Sequence, residues 1–242
     1  MLLGIISDIH EDLQSLEQAL RFFSKNTIGE IICLGDITGS GETDSNKADL
    51  CVELVRENCS IVVCGNHDLE TVKRIPDHKA GFAYPSNWYE LSRTQKERIG
   101  GGKLWIHEDE VPALSDINKL FLKKLPEYHV LEKEHIMFSH YAYPDLTGII
   151  AHFIGEQHEL EEHFAFMKDH QCRLGFSGHR HPEGCLIATE KEIMEKTFGT
   201  HQIEYDAWWI DIPCIARGPT ENGFAILDTA SMQIEVVPLK KL

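Results

Sequence analysis

Residues 2–10 read LLGIISDIH, an apolar run that ends in serine, aspartate, isoleucine and histidine. A short apolar run bounded by polar residues is typical of a strand that is covered on both faces, as in a parallel sheet. From Leu13 to Phe23, leucine and phenylalanine then recur at the spacing of one helix face. The segment therefore predicts a buried strand, Leu2 to Ile6, followed by an amphipathic helix.

The same order continues along the chain. A second apolar run, Glu30 to Leu34, ends in Gly35-Asp36, and residues from Ala48 to Val55 again have helical spacing. A third apolar run, Ser60 to Cys64, ends in Gly65-Asn66-His67-Asp68. This β-α-β-α-β order predicts parallel strands joined by right-handed crossovers.

The rest of the chain is less regular but contains elements of both kinds. Helical spacing predicts helices around residues 87–98, 115–125 and 156–170. Apolar runs predict strands at 128–131, 135–138, 173–177, 184–188, 207–212, 224–228 and 232–237. The sequence contains no internal repeat, low-complexity tract or linker, and we therefore predict one domain over residues 1–242.

The chain is strongly acidic, with 23 Lys and Arg residues against 39 Asp and Glu residues and a net charge of −16. Binding of long duplex nucleic acid requires many basic side chains on the phosphates, so this charge argues against such a partner. A small phosphorylated substrate is compatible with the charge, because bound metal ions can supply positive charge locally. No apolar run approaches the ~18–20 residues of a membrane span, so we expect no membrane partner.

The cysteines indicate the compartment. The sequence has 7 of them, an odd number, and no two form a C-x-x-C pair. Several lie in apolar runs, as Cys33 does, and are expected to be buried thiols in a reducing compartment. The apolar start of the chain is shorter than the ~7–15-residue core of a signal peptide, so we expect a cytoplasmic protein.

Polar clusters follow the ends of five predicted strands. They are Asp8-Ile9-His10, Gly35-Asp36, Gly65-Asn66-His67-Asp68, Ser139-His140 and Gly178-His179-Arg180-His181. The carboxyl ends of strands are where ligand crevices form in open α/β sheets, so these clusters are expected to converge. Imidazole and carboxylate together suit divalent transition metals. A pair of metals ~3.5–4 Å apart needs a shared ligand, and a carboxylate such as that of Asp8 or Asp36 can provide it.

In this order, the five clusters resemble the calcineurin-like metallophosphoesterases, and in particular their compact bacterial and archaeal phosphodiesterase branch. The pattern spans residues 1–190, and Ile215 to Asp228 is similar to the closing hairpin of that branch. The resemblance implies a four-layer α/β/β/α sandwich, with the metal site at the carboxyl ends of the strands.

The resemblance also implies roles for individual residues. One metal would be held by Asp8, His10, Asp36 and His181, and the other by Asp36, Asn66, His140 and His179, with Asp36 as the bridge. The cofactors would be two divalent transition metal ions, with Mn or Fe favoured and Zn, Co or Ni as alternatives. A hydroxide between the metals would attack the phosphorus, His67 would protonate the leaving oxygen, and Asn66 would also contact the substrate.

Some positions depart from other branches of the family. Protein phosphatases carry Asp-Arg-Gly after the second aspartate, whereas Asp36 is followed here by Ile37-Thr38-Gly39-Ser40-Gly41. This difference argues against phosphoproteins as substrates and leaves the partner of His67 open. Arg180 replaces a common threonine and is assigned either to the substrate phosphate or to an acidic neighbour. Tyr141 replaces a common glycine and is expected to narrow the cleft, and Asp68 either caps a helix or supports the site.

Together these observations predict a metal-dependent phosphodiesterase that hydrolyses a small soluble phosphate ester. The alternatives are a phosphomonoesterase, a dinucleoside-polyphosphate hydrolase, or a non-catalytic scaffold of the same fold. The scaffold is disfavoured because every expected ligand is present. The natural substrate and the oligomeric state stay open at this point, because segments 69–126 and 141–172 carry no decisive pattern.

Overall fold

The computed structural model describes residues 1–39, 46–106, 112–203, 208–216, 218 and 221–239. Its helices in these ranges are α1 (Leu13–Lys25), α2 (Lys47–Asn58), α3 (Asn66–Thr71), α4 (Arg93–Gly100), α5 (Asp116–Lys123) and α6 (Glu161–Asp169). Short 3-10 turns at Trp88–Glu90 and Gln157–Leu160 precede α4 and α6. The predicted helices around 87–98 and 156–170 are therefore each divided into a 3-10 turn and an α-helix.

Among the described residues the strands form two six-stranded sheets. The first has the order β3-β2-β1-β11-β12-β9 and the second β4-β5-β6-β10-β7-β8. Their bounds are β1 (Leu2–Ile6), β2 (Glu30–Cys33), β3 (Ile61–Val62), β4 (Tyr128–Leu131), β5 (Ile136–Ser139), β6 (Leu174–Ser177), β7 (Cys185–Thr189), β8 (Ile193–Lys196), β9 (Gly199–Gln202), β10 (Trp208–Asp211), β11 (Gly223–Asp228) and β12 (Gln233–Pro238).

Both sheets are mixed. Strands β1, β2 and β3 pair in parallel, as the sequence predicts, while β1 pairs with β11 antiparallel. In the second sheet β6 pairs in parallel with β5 and β10, and the outer pairs are antiparallel. The carboxyl ends of β1, β2 and β3 therefore share one edge of the first sheet, and those of β5, β6 and β10 share one edge of the second.

Three separate apolar clusters show how the layers stack. Phe23 of α1 and Val52 of α2 pack on the outer face of the first sheet. The inner faces of the two sheets meet through residues such as Ile5 and Phe176. Met167 of α6 packs on the outer face of the second sheet. The order is thus helix, sheet, sheet, helix, and the predicted four-layer α/β/β/α sandwich is confirmed.

Side-chain alternation along the strands produces these layers. Within β5, Ile136 and Phe138 belong to the cluster between the sheets, whereas Met137 belongs to the cluster under α6. Successive side chains of a strand point to opposite faces, so a continuous apolar run can serve two layers at once. This is why the buried strands appear in the sequence as unbroken apolar runs.

Helix α1 begins directly after the first polar cluster. The Asp12 carboxylate caps it by accepting hydrogen bonds from the Ser15 backbone N–H at 3.0 Å and from the Ser15 hydroxyl at 2.8 Å. The Asp12 N–H itself donates to the Ile9 carbonyl at 2.9 Å. The cap therefore fixes the turn that carries Asp8 and His10.

Two strands were not anticipated from the sequence. Strands β8 and β9 lie at edges of the two sheets, and their side chains are half-buried or exposed. An edge strand has a neighbour on one side only and tolerates polar side chains, so it carries no apolar run. The start of the predicted strand at residue 207 and the loop residues Ser40 and Gly41 lie outside the described residues.

Within the described ranges, no helix combines the length and the apolar character that a membrane crossing requires.

The contact between the two sheets generates a stability prediction. Phe176 is buried between them and stacks on Phe138, with ring centroids 5.9 Å apart. Replacing Phe176 by alanine leaves a cavity that the sheets cannot close, and we expect a loss of about 3–5 kcal/mol in the free energy of unfolding. Urea unfolding in the presence of a chelator measures this loss without a contribution from bound metal.

The matched control is Ile117→Ala on α5, since Ile117 is 60% exposed. We expect this change to alter the free energy of unfolding by no more than about 0.5 kcal/mol. Equal unfolding midpoints for the Phe176 and Ile117 variants would contradict the stacking of the two sheets.

Candidate metal centre

Asp8, the second residue after β1, provides the first carboxylate of the site. It is fully buried, and its Oδ1 lies 3.1 Å from His181 Nε2 and 3.8 Å from His10 Nε2. The Nε2 atoms of His10 and His181 lie 3.3 Å apart. One carboxylate oxygen and two imidazole nitrogens thus converge, an arrangement that suits a divalent transition metal.

Asp36, which follows β2, provides the second carboxylate. Its Oδ2 lies 3.3 Å from His140 Nε2 and 3.9 Å from His10 Nε2. Asp36, His140 and His179 each offer a ligating atom, and these atoms lie within 4.8 Å of one another. Asp36 therefore contacts both groups of imidazoles, the one around Asp8 and the one around His140.

Hydrogen bonding orients His140 for coordination. Its Nδ1 lies 2.8 Å from the Leu34 carbonyl, which can only accept, so Nδ1 carries a proton and Nε2 is the nitrogen that faces the site. Among the described residues, no hydrogen bond reaches the buried Nε2 of His179, and the buried Nε2 of His140 faces the carboxylates of Asp36 and Asp8 at 3.3 and 3.8 Å. Because an unsatisfied buried polar atom costs about 1–3 kcal/mol, a cation at this point would remove a penalty that the protein otherwise carries. The donor set and the orphaned nitrogen of His179 fit a metal site.

The charges of the site reinforce this conclusion. Burial by itself would lower the pKa of His140, but the carboxylates of Asp36 and Asp8 raise it to about 10. Burial would likewise lower the pKa of His181, but the Asp8 carboxylate outweighs burial and raises this pKa to about 11. Burial together with His140 lowers the pKa of His179 to about 3. The two carboxylates attract protons to the imidazoles, and a metal ion competes for the same nitrogens.

The backbone is strained at the candidate ligands. Positive φ angles occur at Asp8 (53°), His10 (41°), Asp36 (50°), His179 (74°) and His181 (52°). Side-chain-bearing residues adopt this region at a cost of order 1–3 kcal/mol each, and such residues cluster at functional sites. The surrounding hydrogen bonds hold these turns so that their side chains face one another.

Two glycines of the polar clusters are explained by close approach. A Cβ atom at Gly65 would overlap Asp36 Oδ1, and a Cβ atom at Gly178 would overlap Ser7 Oγ and Asp8 Oδ2. Any side chain at either position would displace a carboxylate of the site. Glycine is therefore required before Asn66 and before His179, because the Asp36 loop packs directly on Gly65 and the Asp8 loop packs directly on Gly178.

His67 and Asn66 belong to the loop after β3. The His67 backbone N–H donates to Asp36 Oδ1 at 2.9 Å, and the His67 ring lies edge-on to the His10 ring, with centroids 4.9 Å apart. A ring nitrogen of His67 also lies within 4.8 Å of ligating atoms of His10 and Asp36, so the geometry admits His67 as a ligand or as a proton donor. Asn66 is buried at the first position of α3.

Asp68 connects two of the ligand loops. Its Oδ1 accepts hydrogen bonds from the backbone N–H groups of Ile37 and Thr38, and its Oδ2 accepts one from the Gly65 N–H. Burial and the nearby Asp36 carboxylate raise the pKa of Asp68 to about 7. Both sequence-based interpretations apply, because Asp68 caps the start of α3 and also holds the loop that follows Asp36.

Arg180 has an acidic neighbour, as one of its two expected roles requires, but the sequence did not identify this residue. Its Nε lies 3.9 Å from Oδ2 of Asp211, a fully buried residue at the end of β10. Burial raises the pKa of Asp211, and Arg180 opposes this rise. The signal was present, since Asp211 follows the apolar run Trp208-Trp209-Ile210 just as the other site residues follow theirs.

Tyr141 also packs against the site. Its ring centroid lies 4.8 Å from that of His179, and its hydroxyl accepts a hydrogen bond from the Ile154 N–H at 2.7 Å. The phenol is buried, so it supports His179 from within the protein.

Comparisons with known proteins agree with this fold and site. The model of the calcineurin-like phosphoesterase superfamily domain matches residues 1–194. The chain therefore belongs to this family. It is a hydrolase of phosphoric ester bonds, and the family is metal-dependent.

Individual relatives show similarity of two kinds. An uncharacterized protein of Methanocaldococcus jannaschii is 40% identical over 67 residues, which are 28% of this chain and about a quarter (26%) of that protein. The structure of a metallophosphoesterase from Sphaerobacter thermophilus has a TM-score of 0.68 at 22% identity, over 98% of this chain and 88% of that one. A hypothetical protein from Pyrococcus horikoshii has a TM-score of 0.61 at 13% identity, over 98% and 87% of the two chains. At these identities the structures show a shared fold.

The close approach at Gly178 generates a prediction for metal binding. In Gly178→Ala the new methyl group displaces the Asp8 carboxylate, and we expect the affinity for Mn²⁺ to fall by at least about 10–100-fold, as for other changes beside metal ligands. Titration of the metal-free protein with Mn²⁺, followed by calorimetry, measures the affinity. Gly29→Ala is the control, because a Cβ atom at Gly29 has nothing within 4 Å. Unchanged affinity in Gly178→Ala would show that Asp8 does not hold metal.

Proposed function

We propose that this chain is a dinuclear metal-dependent phosphodiesterase, organised as one domain over residues 1–242, that hydrolyses a small phosphate ester. The observation that carries the proposal is the position of Asp36. Its Oδ2 lies 3.3 Å from His140 Nε2 and 3.9 Å from His10 Nε2, so one carboxylate borders two groups of imidazoles. A carboxylate can bridge two cations, and such a bridge is a requirement of dinuclear hydrolases.

The residues divide into two ligand sets that share this bridge. One set consists of Asp8, His10, Asp36 and His181, and the other of Asp36, Asn66, His140 and His179. Imidazole and carboxylate ligands together suit divalent transition metals, and membership of this family favours Mn or Fe, with Zn, Co and Ni as alternatives. When bound, two such ions supply an activated water as the nucleophile and neutralise charge that develops on the phosphoryl oxygens.

The other residues of the site bind the ester and move a proton. His67 lies beside His10 and Asp36 and protonates the leaving oxygen as a general acid. Asn66 contacts the substrate as well as the metal. The Arg180 guanidinium contacts a phosphoryl oxygen, while Asp211 on its other side holds it in place.

Charge and cysteine chemistry support a small substrate and an intracellular setting. The net charge of −16 opposes the approach of a long polyanion, whereas a single phosphate ester is drawn to the cations of the site. The seven cysteines are free thiols, and burial raises the pKa of several of them, for example of Cys51 to about 12. Inert buried thiols are typical of a reducing compartment such as the cytoplasm.

The shared carboxylate predicts different metal losses in two variants. We expect the wild-type chain to bind two Mn²⁺ ions, because seven ligands form two sets. Asp36→Asn removes the bridging charge and should reduce Mn²⁺ binding at both metal positions. His10→Ala should reduce Mn²⁺ binding mainly at one of them. Elemental analysis after reconstitution with Mn²⁺ and gel filtration measures the stoichiometry.

The control for these variants is His158→Ala, since the His158 side chain is 67% exposed and lies outside the site. Its stoichiometry should equal that of the wild type. No more than one bound metal in the wild type would overturn the dinuclear proposal, and equal losses in the two site variants would mean that Asp36 is not the bridge.

The proton donor is tested through the leaving group. General acid catalysis contributes about 10²–10⁴-fold, and it matters most when the leaving oxygen is basic. His67→Ala should therefore lose rate by this factor on a diester with a ribose leaving group, and far less on bis(4-nitrophenyl) phosphate. Both bound metals should be retained, which the same elemental analysis checks.

Other outcomes would assign His67 differently. Loss of one metal in His67→Ala would make His67 a ligand. A full metal complement with equal losses on both esters would make it a residue that positions the phosphate.

A further inference from the structure

Two aromatic side chains beside the site are exposed although they are large and apolar. Trp105 is 42% exposed and Phe153 is 43% exposed, and their ring centroids lie 5.8 Å apart with the planes tilted by 41°. We call them the Trp105–Phe153 pair. The flanking residues Lys103 and His152 are exposed and polar. The two rings together offer an exposed apolar face on which one planar group can stack.

The pair is continuous with the metal centre at two points. The Phe153 ring contacts the His179 ring, with centroids 5.4 Å apart. Trp105 lines a crevice that is also lined by Asn66 and Ile149. Asn66 and His179 both belong to the second proposed ligand set and not to the first. The pair therefore borders the side of the site where that set lies.

The backbone of Trp105 is hydrogen-bonded to the segment that precedes Phe153. The Trp105 N–H donates to the Ile149 carbonyl at 3.0 Å, and the Ala151 N–H donates to the Lys103 carbonyl at 2.9 Å. Segments 103–105 and 149–151 thus form a short antiparallel pairing, with a bridge between Leu104 and Ile150. The pairing fixes Trp105 relative to the segment that carries Phe153.

The segment around Phe153 is anchored on both sides. Upstream, the Asp145 carboxylate accepts hydrogen bonds from the Ile149 and Ile150 N–H groups at 2.9 and 2.8 Å. Downstream, the Ile154 N–H donates to the Tyr141 hydroxyl at 2.7 Å. Phe153 lies in a loop whose next residue, Ile154, is hydrogen-bonded to Tyr141, and the Phe153 side chain is exposed to solvent. Because the backbone on both sides of Phe153 is hydrogen-bonded, little backbone freedom is lost when a ligand stacks on the ring.

We propose that the Trp105–Phe153 pair is a stacking platform for a planar aromatic group of the substrate, such as a nucleobase, whose phosphate lies at the metal centre. This proposal rests on the proposed function, since it uses that centre as the phosphate site. The substrate class it names is a nucleotide-like ester. Stacking of a base on aromatic side chains is sequence-tolerant and contributes about 5- to 150-fold in affinity, the equivalent of ~1–3 kcal/mol.

Adenosine 5′-monophosphate and ribose 5-phosphate isolate the contribution of the ring. Both carry the same phosphate on the same sugar carbon, and they differ in the adenine base. With the Mn²⁺-loaded full chain, calorimetry should give a dissociation constant for the nucleotide about 5- to 150-fold lower than for the sugar phosphate. Release of inorganic phosphate is measured in the same samples, so that any turnover of either ligand is detected.

Variants separate stacking from mere apolar contact. Phe153→Leu and Trp105→Leu keep apolar bulk but remove the ring, and in each the ratio of the two dissociation constants should fall towards one. Phe153→Tyr keeps the ring and should keep the ratio. Ile117→Ala changes an exposed apolar residue on α5 and should leave both constants unchanged.

The outcomes that overturn the platform differ from those that overturn the proposed function. Equal affinity for the two ligands, binding of neither, or a ratio that the leucine variants do not change would overturn the platform. Hydrolysis of bis(4-nitrophenyl) phosphate by the same preparation is measured independently. Its absence would overturn the proposed function, and the binding ratio would still decide whether the two rings recognise a base.

Discussion

The buried carboxylate of Asp8 connects the two halves of the sandwich. Its Oδ2 accepts the His179 N–H at 2.9 Å, so a residue after β1 of the first sheet is bonded to a residue after β6 of the second. Its backbone N–H and carbonyl are also bonded, to Gly35 and Ala216. A fully buried charge needs such partners, because an unpaired carboxylate in the interior is strongly destabilising. Together with the hydrogen bond between His140 Nδ1 and the Leu34 carbonyl, this group aligns the two sheet edges.

The remaining charges of the site follow from that alignment. Once the two edges meet, the carboxylates of Asp8 and Asp36 face the imidazoles of His140 and His181, and the pKa of each histidine rises against the effect of burial. Among the described residues, the same arrangement leaves the buried Nε2 of His179 without a hydrogen bond. Two buried carboxylates, those of Asp8 and Asp36, thus create a strongly negative potential at one point of the protein. In a metal-dependent family, such a negative potential favours the binding of metal ions.

The surroundings of the site are closely packed on the side of His179. Tyr141 supports the His179 ring from within, and Phe153 contacts it from the surface. The tyrosine hydroxyl is bonded to the N–H of Ile154, the residue after Phe153. The proposed ligand His179, its internal support and the exposed ring are therefore linked through direct contacts between the candidate site and the outer surface.

The sequence by itself determined ten of the twelve described strands, the first helix and the polar clusters at the strand ends, because burial and helix periodicity leave local patterns. From these clusters all the proposed ligands were predictable. It did not reveal the edge strands β8 and β9, which lack an apolar run. Only the tertiary structure decided which imidazole faces which carboxylate, that Asp211 lies beside Arg180, and that Trp105 and Phe153 meet. These contacts join segments far apart in the chain, and they depend on how sheets and loops stack, which no local spacing encodes.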